Sequence, residues 1–312
     1  MTEVFSCQMC AGSRMAGAHI AREMLLGHRT PFAYHECAEC RSVQIAAPPA
    51  DLATYYPTDY YSYDAAPVGL IKRLRQALRC NLVLFAPTPI SAWAAGDKSD
   101  RLFPLLRRAG VKRTSRILDI GCGGGALLRG LARAGLPNLL GVDPFIESDI
   151  ETSEGVKLVK RSVREVRGQF DLIMFNHSLE HVPSPAADLA AARELLAEDG
   201  CCLVRVPLVG TFAWREYGIH WYGLDAPRHL TVPSRKGIEQ LATRSGFGVE
   251  DAIFDSTAMQ FMASELYRRD IPLAQLTPQH FTRREIAEFR RRARALNAAH
   301  DGDQGAFLLR RN

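Results

Sequence analysis

The chain has 312 residues, enough for one large α/β domain and a small additional module. Its 47% hydrophobic and 23% charged residues are typical of a packed globular protein and exclude a largely disordered one. The net charge of +5 permits an anionic substrate without requiring one.

The start of the chain contains no basic segment that leads into an apolar run, so the sequence predicts no secretory signal. No apolar stretch reaches the roughly 18 residues that span a bilayer. We therefore expect a cytoplasmic protein without a transmembrane segment. In the reducing cytosol its eight cysteines are not expected to form disulfides.

Residues 1–45 contain two Cys-x-x-Cys pairs that are separated by 26 residues. Each pair directs two thiolates toward one point, and two pairs complete a closed tetrahedral zinc site. The separation is longer than usual for such pairs, so a hairpin or irregular loop has to fit between them. The sequence predicts a structural zinc module, with four free thiols as the alternative. Its ligands would be Cys7, Cys10, Cys37 and Cys40.

Residues 46–99 are predicted to form a linker rich in Tyr and Pro, followed by a helix. Pro48, Pro49 and Pro57 disfavour regular helix in the linker. Over residues 69–86, apolar residues recur at helical spacing with Lys and Arg mostly between them. We expect this helix to pack on a partner or core face, with peripheral contact to an anionic membrane as the alternative.

Residues 100–312 alternate between predicted strands and helices. This alternation predicts one α/β domain with a mostly parallel sheet that is covered by helices on both faces. The predicted strands are 116–120, 139–142, 156–159, 170–175, 201–206, 248–254 and 305–310, and the main predicted helices are 126–134, 185–196 and 233–245.

The first of these strands runs into a glycine-rich turn, where bare backbone allows tight bends and close approach of a ligand. Gly121-x-Gly123-x-x-Ala126 fits a dinucleotide fingerprint, so NAD is one possible ligand. Asp119 favours S-adenosylmethionine instead, because a carboxylate attracts an ammonium or sulfonium group and repels a pyrophosphate. A turn without a ligand is the remaining alternative.

The second strand ends in Asp143-Pro144. Asp143 lies 18 residues beyond Gly125, near the ~20 expected for an acidic residue that binds ribose hydroxyls. This spacing suits either cofactor, and an Asp that only starts the next helix is the alternative.

Three motifs together resemble class I S-adenosylmethionine-dependent methyltransferases over about residues 100–312. They are Leu118-Asp-Ile-Gly-Cys-Gly-Gly-Gly, Leu140-Gly-Val-Asp-Pro, and Phe170-Asp-Leu-Ile-Met-Phe-Asn-His-Ser-Leu-Glu-His-Val. The resemblance implies a Rossmann-like, seven-stranded sheet of order 3-2-1-4-5-7-6 whose last strand is antiparallel.

The same resemblance implies roles for individual residues in cofactor binding. The glycine turn and Asp119 would hold the amino-acid end, and Asp143 would bind the ribose. Ser162 and Val163 would lie near the adenine, and Asn176 and His177 would lie beneath the cofactor. The full implied set is Asp119, Gly121, Cys122, Gly123, Gly125, Asp143, Pro144, Ser162, Val163, Asn176 and His177.

Two histidines are candidate bases for a hydroxyl acceptor. His181 follows the fourth strand at the cofactor's mouth and titrates near neutrality. His229 lies after the fifth strand in an aromatic stretch, where a loop is expected to cover the site. A histidine that never takes a proton and a well-packed insertion are the alternatives. Glu180 is expected to orient the histidine or to contact the sugar of the cofactor. Further acceptor-binding candidates are His220, Trp221, Tyr222, Asp225 and Arg228.

The four-Cys module, the Tyr-rich linker and Asp225-Ala-Pro-Arg-His-Leu are similar to a bacterial methyltransferase group tied to polysaccharide or sugar-nucleotide biosynthesis. This similarity implies a small-molecule or glycan acceptor. We prefer O-methylation, because further residues typical of sugar C-methyltransferases are not evident.

Three other functions are alternatives. An RNA methyltransferase would use the zinc module to grip nucleic acid, but residues 1–45 contain four Arg and no Lys, so nucleic acid is not the expected partner. A zinc-ribbon interaction protein with an inactive cofactor domain and an NAD-dependent sugar enzyme are the others.

The basic helix at 283–294 is predicted to be a solvated face, with contact to phosphate groups as the alternative. The sequence leaves the oligomeric state open.

Overall fold

The computed structural model describes residues 5–56, 69–95 and 102–312, so part of the Tyr-rich linker lies outside the described residues. The strands are β1 (Met15–Arg22), β2 (Pro31–Cys37), β3 (Val43–Ile45), β4 (Ile117–Ile120), β5 (Leu139–Val142), β6 (Ile150–Glu151), β7 (Lys157–Val159), β8 (Phe170–Asn176), β9 (Leu196–Pro207), β10 (Thr231–Val232), β11 (Phe247–Phe254) and β12 (Gln304–Arg311). The helices are α1 (Leu70–Phe85), α2 (Thr88–Ala95), α3 (Leu102–Arg108), α4 (Ala126–Arg133), α5 (Pro185–Glu194), α6 (Phe212–Tyr217), α7 (Arg235–Arg244), α8 (Met259–Arg268) and α9 (Arg283–Ala298).

The large sheet has the strand order β11-β12-β9-β8-β4-β5-β7-β6. Its central strands are parallel, whereas β12 runs antiparallel to both β9 and β11. The described sheet has eight strands, so the predicted count of seven is wrong. The additional strand, β6, has only two residues, both exposed, and it extends the edge by pairing antiparallel with β7. A strand so short and solvated leaves no hydrophobic pattern to detect.

The central strands form because they are covered on both faces. All four residues of β4 are buried, as expected of an interior parallel strand, and three of them are apolar, with Asp119 as the exception. Leu128 and Leu131 of α4 pack on one face, and Leu189 and Leu241 pack on the other. Burial of each such side chain contributes about 1.5–3 kcal/mol. The sheet thereby fixes the carboxyl ends of β4, β5 and β8 side by side.

The boundary between α5 and β9 differs from the prediction. We expected the helix to run through Leu196, but it ends at Glu194 and β9 begins at Leu196. Leu196 pairs with Phe170 of β8, and an irregularity in register follows. Pairing with a neighbouring strand thus takes precedence over the local helical pattern.

A second, smaller sheet has the order β1-β2-β3-β10. Strands β1 to β3 come from the N-terminal 45 residues, whereas β10 comes from the α/β region. Thr231 pairs with Gln44 and Val232 with Val43. The predicted domain boundaries at residues 45 and 99 stay predictions. The small sheet contains strands from residues 1–45 and from residues 100–312, so it joins these two segments.

Helix α1 corresponds to the helix predicted over 69–86. Cys80, Val83 and Leu84 are buried beside α3, whereas Leu74 and Leu78 are exposed. Among the residues that the structure describes, no helix has the length and apolar character needed to cross a membrane.

Candidate active site and four-cysteine site

The turn after β4 requires glycine for two reasons. Gly121, Gly123 and Gly125 have positive φ angles of 72°, 50° and 69°, which side chains disfavour. A Cβ atom on Gly121 would also lie 2.4 Å from the Cβ of Ser178. The Ser178 hydroxyl donates a hydrogen bond of 2.5 Å to the carbonyl of Ile120. The turn therefore contacts the segment that follows β8.

Two buried carboxylates lie at this turn. Asp143 accepts hydrogen bonds from the Gly123 amide at 3.0 Å and the Phe145 amide at 2.8 Å. Asp119 Oδ1 is buried and has no hydrogen-bond partner among the described residues. Burial, and then the charge of Asp143, raise the pKa of Asp119 to about 8. Burial also raises the pKa of Asp143, against the two amide donors. An unpaired buried carboxyl oxygen beside a second acid suits a cationic ligand.

The other residues predicted to bind the cofactor have varied surroundings. The Ser162 hydroxyl donates to Glu165 at 2.8 Å, and Val163 is buried in the core. Asn176 accepts a hydrogen bond from Arg205, and His177 has a positive φ of 55° just beyond β8. Half-buried Cys122 lies within the turn, and Pro144 is exposed. Their contacts with a cofactor stay predictions.

The two candidate bases lie together, although 48 positions separate them in the sequence. The rings of His181 and His229 are edge to face, with centroids 4.7 Å apart. Nδ1 of His181 lies 2.9 Å from the Arg228 carbonyl, and Nδ1 of His229 lies 2.9 Å from the Gly223 carbonyl. Because a carbonyl only accepts, each Nδ1 is assigned a proton, so in the uncharged form of each ring the lone pair lies on Nε2.

The environment keeps His181 neutral. Burial, and then the neighbouring His229, lower the pKa of His181 to about 4. The Tyr56 hydroxyl lies 2.9 Å from the same Nδ1 atom. The ring is therefore neutral at pH 7 with a lone pair available, but the expectation that His181 titrates near neutrality is wrong, because burial lowers its pKa and makes it a weaker base.

Glu180 is buried beside both histidines. Its side chain is fully inaccessible, and neither carboxylate oxygen has a hydrogen-bond partner among the described residues. The nearest ring nitrogens are Nδ1 of His177 at 3.5 Å and Nε2 of His229 at 3.9 Å. Burial acts to raise the pKa of Glu180, but the contact with His177 and the charges of the three histidines lower it overall. The carboxylate therefore remains ionised between imidazoles.

The loop that carries His229 is held by the N-terminal residues. The guanidinium of Arg228 is fully buried and pairs with Asp225 and with Glu23, whose Oε1 lies 3.1 Å away. The Tyr34 hydroxyl donates to the His229 carbonyl at 2.9 Å. Sequence reasoning missed Glu23, Tyr34 and Tyr56, because nothing in the local pattern marks partners this distant.

Two of the predicted acceptor-binding residues have structural partners instead. Trp221 is 1% exposed and its Nε1 donates to Asp303 at 3.0 Å, so its ring belongs to the core. Arg228 is occupied by the buried ion pairs described above. Both residues fix the loop, and we do not assign them to the acceptor. The candidates Tyr222 and His220 are partly accessible.

The four predicted zinc ligands converge. One sulfur atom from each of the cysteines lies within 4.8 Å of the others. The distances from Cys7 to Cys40 and from Cys10 to Cys37 are both 3.5 Å, close to the ~3.8 Å between thiolates on a tetrahedral zinc. The amide of Gly12 also donates to the Cys10 sulfur. This donor set fits a closed, structural zinc site.

Helix α9 contains the predicted basic segment at 283–294. Arg291 pairs with Glu288, and the guanidinium of Arg292 lies 4.5 Å from the ring centroid of Phe261. Exposed arginines paired within one helix are in keeping with the solvated face that we expected.

A family model described as a methyltransferase domain matches residues 94–252. The ubiquinone biosynthesis O-methyltransferase of Xanthomonas oryzae pv. oryzae is 35% identical over 96 residues, which are 28% of this chain and 40% of that protein. Its counterpart from Escherichia coli O127:H6 is 31% identical over 110 residues, or 32% of this chain and 46% of that protein. The chain thus aligns with less than half the length of these curated relatives.

The chain is also similar to two solved structures. The 1,6-didemethyltoxoflavin-N1-methyltransferase of Burkholderia thailandensis is 16% identical, with a TM-score of 0.41, and covers 88% of this chain and 97% of its own. An S-adenosylmethionine-dependent methyltransferase from Mesorhizobium loti is 16% identical, with a TM-score of 0.43, and covers 69% and 99%. The family match spans the glycine turn and both candidate bases.

Proposed function

This chain belongs to the methyltransferase-domain family, and we propose that it transfers a methyl group from S-adenosylmethionine to a hydroxyl of a small organic acceptor. The family match confirms the coarser resemblance drawn from the sequence. The finer similarity to enzymes of polysaccharide biosynthesis remains a prediction. O-methylation is favoured by the names of the curated relatives, which are O-methyltransferases of ubiquinone biosynthesis.

The donor end of the proposed site is the turn after β4. Bound there, S-adenosylmethionine would supply an electrophilic methyl group and a thioether leaving group. The unpaired oxygen of Asp119 lies where a cationic amino-acid end gains from a carboxylate. Asp143 stabilises the turn by accepting a hydrogen bond from the Gly123 amide, and it remains the candidate ribose ligand.

One observation carries the acceptor end of the proposal. The segment after β8 touches the glycine turn through Ser178 and, three residues later, presents His181 beside His229. A hydroxyl held between the turn and this pair would be near both a methyl donor and a neutral imidazole. Such positioning supplies much of the rate enhancement in a displacement reaction, and proton removal by a base adds roughly 10²- to 10⁴-fold.

We further propose that the four cysteines hold a structural zinc ion. Four thiolates leave no open coordination position, so this ion would take no part in the chemistry. Its role would be to stabilise β1 to β3, which in turn hold the loop of His229 through Tyr34 and Glu23.

A labelled methyl donor and a panel of acceptors test the proposal. We expect mass spectrometry to detect a methyl group on a phenol, catechol or nucleotide sugar, and none on RNA. His181→Gln should lower turnover at least about 100-fold with little change in donor affinity. His280→Gln, at a partly exposed position outside the site, is the matched control.

Two results would contradict the proposal. Binding of a nicotinamide nucleotide in calorimetry without binding of S-adenosylmethionine would exclude the donor assignment. Methylation of RNA alone would exclude the small acceptor and favour the nucleic-acid alternative.

A further inference from the structure

A second potential metal site lies beside the proposed donor site, apart from the four cysteines. One ring nitrogen each from His181 and His229 and one carboxylate oxygen of Glu180 lie within 4.8 Å of one another. Ligands at 2.0–2.1 Å from a tetrahedral ion are about 3.3 Å apart, so side-chain movements of about an ångström would close the set on one cation.

The hydrogen bonds of the two histidines suit metal binding. The carbonyls of Arg228 and Gly223 take the Nδ1 protons and leave both Nε2 lone pairs available. Metal-binding histidines usually donate their second nitrogen to a carbonyl or carboxylate in this way, which fixes the tautomer and the ring orientation. The protein thus provides the outer hydrogen bonds that such a site needs.

The charge of Glu180 provides an independent argument. Its carboxylate is fully buried, its oxygens accept no hydrogen bond, and no Lys or Arg within the described part of the chain forms an ion pair with it. The neighbouring Asp225 differs, because its carboxylate forms an ion pair with Arg228. A buried anion is costly unless it is paired or binds a metal ion. The imidazoles around it, unlike the guanidinium of Arg228, carry no permanent positive charge.

From this geometry we infer that Glu180, His181 and His229 bind a divalent cation of the Zn²⁺ or Co²⁺ class. Two imidazoles and one carboxylate are a ligand set of catalytic zinc sites, which keep the fourth position open. Mg²⁺ and Ca²⁺ are disfavoured, because they prefer oxygen ligands. The site differs from the four-cysteine site, which has no open position.

The consequence for the chemistry rests on the proposed function. The acceptor hydroxyl would occupy the open position, where the cation lowers its pKa. The O–H bond breaks and the proton passes to solvent water. The oxygen electron pair then forms the new O–C bond, while the electrons of the methyl–sulfur bond remain on sulfur. In this state both histidines are ligands, and the cation takes over the role that a free imidazole would have as base.

Metal stoichiometry of the full chain tests the site directly. After equilibration with Zn²⁺ and dialysis, we expect two zinc ions per wild-type chain and one in His229→Asn and Glu180→Gln. The control His280→Asn should keep two. Loss of a direct ligand should weaken the second ion by more than about 100-fold, beyond the 10- to 100-fold typical of outer-shell changes. With Co²⁺, the second equivalent should show visible absorption without sulfur-to-cobalt charge transfer.

One zinc per wild-type chain would overturn the inference, as would two in both variants. Retained binding of the methyl donor by the variants would show that they are folded. If zinc binds but turnover falls, the cation site stands and its role with the acceptor is wrong. If no acceptor is methylated with or without the cation, the proposed function fails, while the stoichiometry still decides the cation site.

Discussion

Asp119 illustrates how a single residue can combine a structural cost with a binding function. The residue is 3% exposed, and the pKa of its carboxyl group is raised to about 8 from an ordinary value of 3.8. Between these two pH values the folded chain binds more protons at this residue than the unfolded chain does. The free energy of unfolding therefore falls as pH rises through this window. A cationic ligand would offset that cost by favouring the ionised form.

We predict that Asp119→Asn raises the melting temperature of the ligand-free protein at pH 7 and weakens binding of S-adenosylmethionine. Each kcal/mol recovered should add roughly 2–4 °C in a chain of this size class. In the wild type, donor affinity should rise with pH, by at most tenfold per unit between about pH 6 and 7.5. Calorimetry and thermal melts measure both effects.

Asp199→Asn is the matched control, because Asp199 is exposed. It should leave both the melting temperature and the donor affinity nearly unchanged. Donor binding that is independent of pH in the wild type would contradict a charge role for Asp119.

At the scale of elements, the N-terminal strands serve as a support for the acceptor loop. Strand β3 pairs with β10, and Tyr34 of β2 bonds to the carbonyl of His229. Arg228 joins the loop to Glu23, which also accepts hydrogen bonds from the amides of Leu26, Gly27 and His28. The position of His229 therefore depends on residues that are far from it in the sequence.

We predict that Arg228→Met destabilises the chain by about 3–5 kcal/mol, because it leaves Glu23 and Asp225 as buried charges without their cation. Denaturant unfolding measures this change. Arg235→Met breaks an exposed pair with Glu239 and should cost less than about 1 kcal/mol. Equal effects of the two substitutions would show that the Arg228 network contributes no more than a surface pair.

At the scale of the whole molecule, two sheets meet at the proposed active site, and the cysteines of the small sheet pack in one hydrophobic cluster with the large sheet. The large sheet supplies the glycine turn and the segment with His181. The small sheet, with the four cysteines at one end, supports the loop with His229. Loss of the proposed structural zinc should therefore affect the acceptor side more than the donor side.

We predict that removal of this zinc by Cys40→Ser lowers methyl transfer at least tenfold and speeds hydrogen exchange in β1 to β3. Donor affinity should change less, because the turn after β4 is built from the large sheet. Cys80→Ala removes a buried thiol outside the cluster and should retain the metal. Full turnover in the zinc-free variant would contradict this coupling.

Much of the site was evident in the sequence because its signals are local. The glycine turn follows a buried strand within a few residues, and each Cys-x-x-Cys pair is a four-residue motif. Alternation of apolar strands and helices likewise predicted the mostly parallel sheet. In each case the physical requirement, a positive φ angle or two convergent thiolates, acts between near neighbours in the chain.

Only the tertiary structure decided how distant residues combine. The sequence placed His181 and His229 on separate segments, and packing of the loop against the segment after β8 brought their rings together beside Glu180. Burial of Trp221 and Arg228 depends in the same way on Asp303 and Glu23. Contacts between residues so far apart in the sequence form only when loops and sheets pack together. A local sequence pattern therefore predicts motifs formed by near neighbours, but not these contacts.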